Sequence, residues 1–350
     1  MTFNDFVNRT GEWLRGTGPN SNIVISSRIR LARNLEKAPF PNRSSKKNLS
    51  DVLELIQGAI DATDYFKGSI FIKMSELDNI DKQFLVERHL MSYEHASNPE
   101  GKGLVVSREE VLSVMINEED HLRVQVLQSG FNLYETWKII NTIDDKLSEK
   151  LQFAFLPEWG YLTACPTNTG TGMRGSVMLH LPALVMTKQI NKVLAAISKL
   201  SFTSRGFYGE GTQASGNFFQ ISNQVSLGHS DDEIIQNIIG LIRQIIEQEE
   251  QARQALLVQN RPMLEDKIWR SFGVLKNAHI VSSQETAELL SMVRLGIDMG
   301  IIKDVSRMSI NELFITIQPA HLQKADGKKL SSQERDIKRA ALIRQKLGGD

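Results

Sequence analysis

Four short segments of this 350-residue chain concentrate the residue types that do polar chemistry. The first is Ser26-Ser27-Arg28-Ile29-Arg30-Leu31-Ala32-Arg33-Asn34. It reads as the end of a strand, where alternation places Arg28 and Arg30 on one face. Adjacent guanidinium forks suit bidentate phosphate binding, although the segment alone reads more readily as a solvated basic edge. The second is Asn117-Glu118-Glu119-Asp120-His121-Leu122-Arg123, three acids between apolar strands. That is either a polar turn or a site carried on a loop by a rigid sheet. The third runs from Cys165 through Pro166-Thr167-Asn168-Thr169-Gly170-Thr171-Gly172-Met173 to Arg174. Pro166 pushes Cys165 toward an extended conformation, and the loop lacks the lysine of a Walker-type phosphate loop. The fourth, Arg205-Gly206-Phe207-Tyr208-Gly209-Glu210-Gly211-Thr212, is glycine-dense enough for a lid or a plain surface hairpin.

Taken jointly, these segments supply Arg28, Arg30, Arg123, Arg174 and Arg205 with Glu118, Glu119, Asp120, Glu210 and one thiol. Five arginines around one site suit a nucleoside triphosphate, whose transferred phosphoryl needs clamping and charge neutralisation, normally with Mg²⁺. The acids need a second explanation, and a guanidinium acceptor gives one. Its pKa is above about 12, so it is a poor nucleophile until carboxylates orient it and accept a proton. A thiolate at Cys165 would add another negative contact for that cation.

The elements that must hold these segments follow from periodicity. Strands are expected at 21–27, 69–74, 103–106, 111–117, 122–126, 160–165, 176–181 and 216–221. Ser50 is expected to cap a helix presenting Leu53, Ile56 and Ile60, and a second helix spans 132–147. A third spans 183–200, and Ser230 with Glu233 forms a capping box opening a long helix over 231–256. Short consecutive strands with flanking helices predict an α+β fold, an antiparallel sheet backed by helices. Beyond Asn260–Pro262 helical patterns dominate, at 283–299, 308–315 and 332–347. Two domains are therefore expected, 1–260 and 261–350.

Composition excludes several classes. Hydrophobic residues at 41% and charged residues at 23% describe a soluble chain with a core, neither disordered nor fibrous. Forty-one Lys plus Arg against 41 Asp plus Glu leaves no net field to hold nucleic acid or an anionic membrane. A single cysteine permits no intramolecular disulfide and no zinc-cluster spacing, so no resident metal is expected. The N-terminal MTFNDFVNRTGEW lacks the apolar run of a signal peptide, and no stretch nears the roughly 18 to 20 apolar residues of a membrane span. A cytoplasmic protein is expected.

The ordered set SSRIRLARN, NEEDHLR, CPTNTGTGMR and RGFYGEGT, with the Ser222-Asn223 that follows, resembles the phosphagen (guanidino) kinase family over residues 23–223. The resemblance implies that Glu119 and Glu210 bind and activate the guanidinium. Cys165 would contact the same group without becoming a covalent nucleophile. Arg28, Arg30, Arg123, Arg174 and Arg205 would hold the phosphates of ATP, with Mg²⁺ as its counterion, and His89 in ERHLMS would contact the base. Glu118 and Asp120 would approach the Mg²⁺ directly or through water. Met178 stands where metabolite kinases of the family usually have His.

Metabolite kinases of the family also carry a helical domain before the catalytic core, and here the arginine segment begins by Arg28. An uncovered site would accept a guanidinium on something larger, such as an arginine side chain of a protein. Toward the other end, Ser331 and Glu334 form a capping box for a helix containing Arg335-Asp336-Ile337-Lys338-Arg339-Ala340. Arg335, Asp336 and Arg339 fall on one helical face, which for an arbitrary helix is a solvated ion-pair surface. RDIKRA resembles the RDxxRA motif of bacterial protein arginine kinases (McsB type), where it forms an allosteric phosphoarginine site. That resemblance implies an ATP-dependent kinase of protein arginine side chains that responds to phosphoarginine and marks proteins for a Clp chaperone/protease in stress. It further implies a homodimer and a zinc-containing activator partner. Three rivals stand beside it: a small-molecule guanidino kinase, a non-catalytic phosphoarginine-binding adaptor, and a guanidino hydrolase or deiminase using Cys165.

Overall fold

The computed structural model describes residues 3–7, 9–206 and 215–348. Its centre is strand β1 (Val24–Arg33), in which Ile29 and Leu31 alternate with Arg28 and Arg30. Around it lie β2 (Ile70–Lys73), β3 (Gly103–Val106), β4 (Leu112–Ile116) and β5 (Leu122–Ser129). A two-stranded hairpin, β6 (Phe155–Leu156) with β7 (Gly160–Tyr161), stands apart. β8 (Met173–His180), β9 (Phe202–Arg205) and β10 (Phe218–Asn223) complete an eight-stranded sheet in the order β2-β3-β4-β5-β1-β8-β10-β9. Every pairing is antiparallel, so the expected α+β sheet is present.

The helices are α1 (Lys46–Asp61), α2 (Asn79–Glu87), α3 (Tyr93–Ala96), α4 (Leu133–Ser148), α5 (Pro182–Met186), α6 (Ile190–Lys199) and α7 (Asp231–Gln259). After them come α8 (Arg261–Asn277), α9 (Ser283–Asp298), α10 (Arg307–Thr316), α11 (Pro319–Asp326) and α12 (Ser332–Leu347).

One sheet face carries Ile29, Leu31, Val124, Val126, Val177 and Ile221, all buried under apolar residues of α1, α4 and α7. The other face is divided along the length of its strands. Toward one end Leu127, Met178 and Phe218 are buried against Leu264, Ile268, Val293, Leu313 and Phe314 of the C-terminal helices. Toward the other end the same face carries Arg28, Arg30, Arg123, Gln125, Arg174 and Ser176. The C-terminal helices are thus packed on the sheet, and a buried cluster fixes them there. Arg294, fully buried, donates to Ser21 O at 2.7 Å, His180 Nδ1 at 2.9 Å and Asn311 Oδ1 at 3.0 Å, and pairs with Asp298 at 3.1 Å.

Several expectations need correction. Ser45, not Ser50, caps α1: its hydroxyl accepts from Asn48 N–H, and the helix has already begun at Lys46. Residues 183–200 form two helices, because Lys188 adopts φ +59 and breaks the chain direction between α5 and α6. Of 160–165, only Gly160–Tyr161 pairs. The edge strand β9 and helices α2, α8 and α11 carry weak periodic signals and were not expected. The capping boxes at Ser230–Glu233 and Ser331–Glu334 both form.

Candidate functional site

A cleft of ≈ 1230 Å³ opens over the polar half of the sheet. Its floor is laid by strand register. Arg30 lies opposite Arg174 across β1 and β8, and opposite Gln125 across β5. Residues directly opposite in antiparallel strands share a face, so one sheet surface presents Arg28, Arg30, Arg123 and Arg174 together. β9 adds Arg205, opposite Gln220 on β10. All five arginines line the cleft. Hydroxyls steady two of them: Arg28 Nε donates to Ser176 Oγ at 3.3 Å, and Arg174 Nη2 donates to Ser222 Oγ at 3.0 Å and Thr203 Oγ1 at 3.2 Å. Burial, then the fields of Arg174, Arg123 and Arg205, brings the Arg28 pKa down to about 10. Burial, then Arg28, Arg123 and Arg174, also press Arg30 well below the usual guanidinium range. Like charges crowded in this way raise the affinity of the cleft for a polyanion.

The acidic turn between β4 and β5 stands at one wall, and its three carboxylates have three different settings. Burial opposes ionisation of Glu118, but it is outweighed by Arg123, whose Nη1 reaches both carboxylate oxygens at 2.5 and 2.6 Å, with Ser92 Oγ at 2.5 Å and Glu119 N–H. Its pKa is lowered. Glu119 is 43% exposed, 3.9 Å from Arg123, and faces the cleft. Partial burial and the nearby Asp120, Glu118 and Glu94 charges outweigh Arg123 and raise its pKa. Asp120 points the opposite way. It is 2% exposed, accepts from Asn34 Nδ2 at 2.6 Å and Ala164 N–H at 2.7 Å, and does not line the cleft. Asp120 ties the acidic turn to the segment carrying Cys165, its carboxylate turned from the cleft. His121 completes the turn: Leu35 N–H donates to its Nδ1 at 3.0 Å, leaving Nε2–H for Pro39 O at 3.1 Å.

Cys165 sits at the cleft with its Sγ 3.0 Å from Thr167 Oγ1, and Thr167 and Asn168 line the same wall. The loop is drawn tight at Gly172, φ +67, where a Cβ would lie 2.5 Å from Arg33 Nη1 and 2.6 Å from Ala32 O. Arg33 itself is turned from the cleft into a buried pair with Asp144 at 2.7 Å, its guanidinium 3.5 Å from the Tyr161 ring centre. Asn223 fixes β8 beneath the loop by accepting from Gly175 N–H at 2.9 Å and donating to Met173 O at 3.1 Å.

His89 also lines the cleft, with φ +59 and its ring edge-on to Trp13 at 5.3 Å. Burial and Arg28 drive its pKa down to about 3, so it is neutral near pH 7. Met178 is buried under the C-terminal helices, beside Trp13 and His89. Glu210 lies outside the described residues. On α12, Asp336 pairs with Arg339 at 2.5 Å, while Arg335 Nη1 donates to Leu330 O at 2.9 Å. Arg339 is only 1% exposed and also donates to Ile317 O and Val281 O, so its side chain is sunk beneath the face it shares with Arg335.

Several cleft residues carry no motif signal. Thr203, Gln224, Gln318 and Pro319 arrive from segments far apart in sequence, whereas Glu87 and Ser92 bracket His89 at the two ends of ERHLMS.

The arrangement offers a polyanion a floor of guanidinium groups, and offers a cation Glu119 and Cys165 on the adjoining wall. The donor set fits a Mg²⁺ that travels with the anion. Among the described residues no cluster of three His, Cys, Asp or Glu could hold a metal alone, whereas Mg²⁺ is commonly held by substrate phosphates and one or two carboxylates, a part that Glu118 would take here.

Comparisons with known proteins converge. Residues 51–252 match the ATP:guanido phosphotransferase C-terminal catalytic domain, and residues 261–349 match the protein-arginine kinase McsB C-terminal domain. A protein-arginine kinase of Halothermothrix orenii is 51% identical, covering 99% of this chain and 99% of its own. One from Bacillus subtilis is 46% identical, with 99% and 96% covered. Among solved structures, a lombricine kinase shares the fold with a TM-score of 0.60, at 24% identity over 73% of this chain and 77% of that one.

Proposed function

The chain belongs to the ATP:guanido phosphotransferases, as one of their protein-arginine kinases, and on that premise we propose how its cleft carries out the transfer. Arg28, Arg30, Arg123, Arg174 and Arg205 hold the phosphates of Mg-ATP over the sheet, and neutral His89 meets the base. The target arginine enters along the wall of Glu119 and Cys165, and Glu210 is the second carboxylate for its guanidinium. A guanidinium nitrogen attacks the γ-phosphorus. A P–N bond forms as the bond from that phosphorus to its bridging oxygen breaks, and the electron pair leaves on ADP. The guanidinium proton passes to a carboxylate, with Glu119 in place as acceptor. The arginine floor neutralises charge on the phosphoryl oxygens in the transition state.

One observation carries this reading: five arginines, Glu119 and Cys165, from six separated strands and loops, share one cleft. The test is transfer of labelled phosphate from Mg-ATP to an unfolded model protein, with free arginine in parallel. Acid-labile, alkali-stable label in the protein supports it. Label in free arginine alone would make the chain a metabolite kinase.

The finer reading extends to regulation. The α12 motif of Arg335, Asp336 and Arg339 binds phosphoarginine and adjusts the kinase, which acts as a cytoplasmic homodimer with a zinc-containing activator protein. Its phosphoarginine marks direct proteins to a Clp protease during stress. Arg335→Ala is expected to abolish the change in rate on adding phosphoarginine, and an unchanged response would place that site elsewhere.

A further inference from the structure

The tripeptide Glu87-Arg88-His89 sends its three side chains to three places. Arg88 donates to Glu110 at 2.5 Å and to Arg9 O at 2.8 Å, holding the N-terminal segment. His89 enters the cleft. Glu87, 3% exposed, turns to the start of α11: Ala320 N–H donates to its Oε1 at 2.9 Å, and His321 N–H and Nδ1–H donate to its Oε2 at 3.1 and 2.8 Å. Pro319, in the first turn, brings no N–H of its own, so Glu87 meets the first donors that α11 offers. Lys324 and Asp81 pair α11 to α2 a second time.

From the opposite side the same turn is gripped by α12. Arg339 Nε donates to Ile317 O at 3.0 Å, one residue before Gln318 and Pro319, which line the cleft. Arg339 is anchored in turn by Val281 O at 2.9 Å and by Asp336. A segment of the C-terminal helical region therefore forms cleft wall near His89, held between a carboxylate from α2 and a guanidinium from α12.

We propose that the Ile317–Pro319 turn is a positioning element of the nucleotide side of the cleft, clamped between Glu87 and Arg339. Neither residue touches the reacting atoms. Each acts through the turn. The inference builds on the reading of the cleft as an ATP site, and it makes the C-terminal helices part of the catalytic unit even without any bound regulator.

The test uses the full chain with Mg-ATP and an unfolded protein acceptor, and no phosphoarginine. Glu87→Gln preserves shape and one carbonyl acceptor, and Arg339→Lys preserves charge, so both variants keep the fold. Each is expected to raise KM for ATP roughly three- to tenfold while kcat stays within about twofold. Because both act on one turn, the double variant should raise KM no further than the larger single change, whereas losses in Tm should add. Lys338→Ala, on the exposed side of the same helix, should leave KM unchanged. A fall in Tm with KM for ATP unaltered would overturn the proposal, as would KM effects that multiply like those of independent sites. Wild-type protein that fails to use ATP would overturn the ATP-site reading itself, a result separable from any behaviour of the variants.

Discussion

Two sets of arginines in this molecule do opposite work. Arg33, Arg88, Arg253 and Arg294 are buried and each faces a carboxylate: Asp144, Glu110, Glu249 and Asp298. Their charge is consumed inside the fold. Arg28 and Arg30, three to five residues before Arg33 on the same strand, face the cleft, where Arg28 is steadied by the hydroxyl of Ser176. A hydroxyl orients a guanidinium without neutralising it, so the positive charge stays available to a ligand. Burial lowers the pKa of Arg28 and Arg30, and the neighbouring guanidinium groups lower it further, a repulsion that a bound polyanion would relieve.

The contrast can be broken by substitution. Arg33→Ala leaves Asp144 buried without its partner and should cost about 3–5 kcal/mol in urea unfolding. Normal stability with lost turnover would dissolve the distinction between the two sets. Arg28→Ala should do the reverse, lowering kcat/KM roughly 10²- to 10³-fold, about 3–4 kcal/mol of transition-state stabilisation, with Tm held or raised as repulsion falls. Ser222→Ala, which removes only an orienting hydroxyl under Arg174, should lower kcat/KM about fivefold, near 1 kcal/mol. A loss as large as that of Arg28→Ala would mean the hydroxyl contacts substrate itself.

Acidity sharpens the same comparison on the carboxylate side. Glu119 must be ionised to accept a proton, and its raised pKa places the loss of activity on acidification above the ordinary glutamate value of 4.5. An acid limb in kcat/KM at or below 4.5 would assign the proton to another group. Glu118 shifts the other way, so the stability it contributes is present above 4.5 and is lost as pH falls through its lower folded value. Lys138→Ala, at an exposed pair with Glu135, should leave both Tm and turnover unaltered.

Much of the candidate site was legible because its signals are local. Alternation set Arg28 and Arg30 on one side of β1, and CPTN and NEEDH marked the wall beside them. Helix starts were legible where a serine and a glutamate three residues later satisfy each other, as at Ser230 and Ser331. They failed at Ser50, because Ser45 offers the same hydroxyl little more than a turn earlier and the helix has begun before Ser50 is reached. β9 was missed because four half-buried residues at a sheet edge carry little apolar pattern, although Arg205 sits at its end.

The sequence by itself determined the arginine-rich strand, the acidic turn, the cysteine loop and a helical C-terminal region, since each depends on contacts within a few residues. Only the tertiary structure decided that Asp120 turns inward to Asn34 and Ala164 while its neighbour Glu119 faces the cleft. It alone decided that Arg339 is buried and that Gln318 and Pro319 reach the active cleft from a region nearly 300 residues beyond Arg28. The direction of a polar side chain is fixed by whichever donors and acceptors packing brings within about 3 Å, and those partners come from distant parts of the chain whose meeting no local pattern encodes.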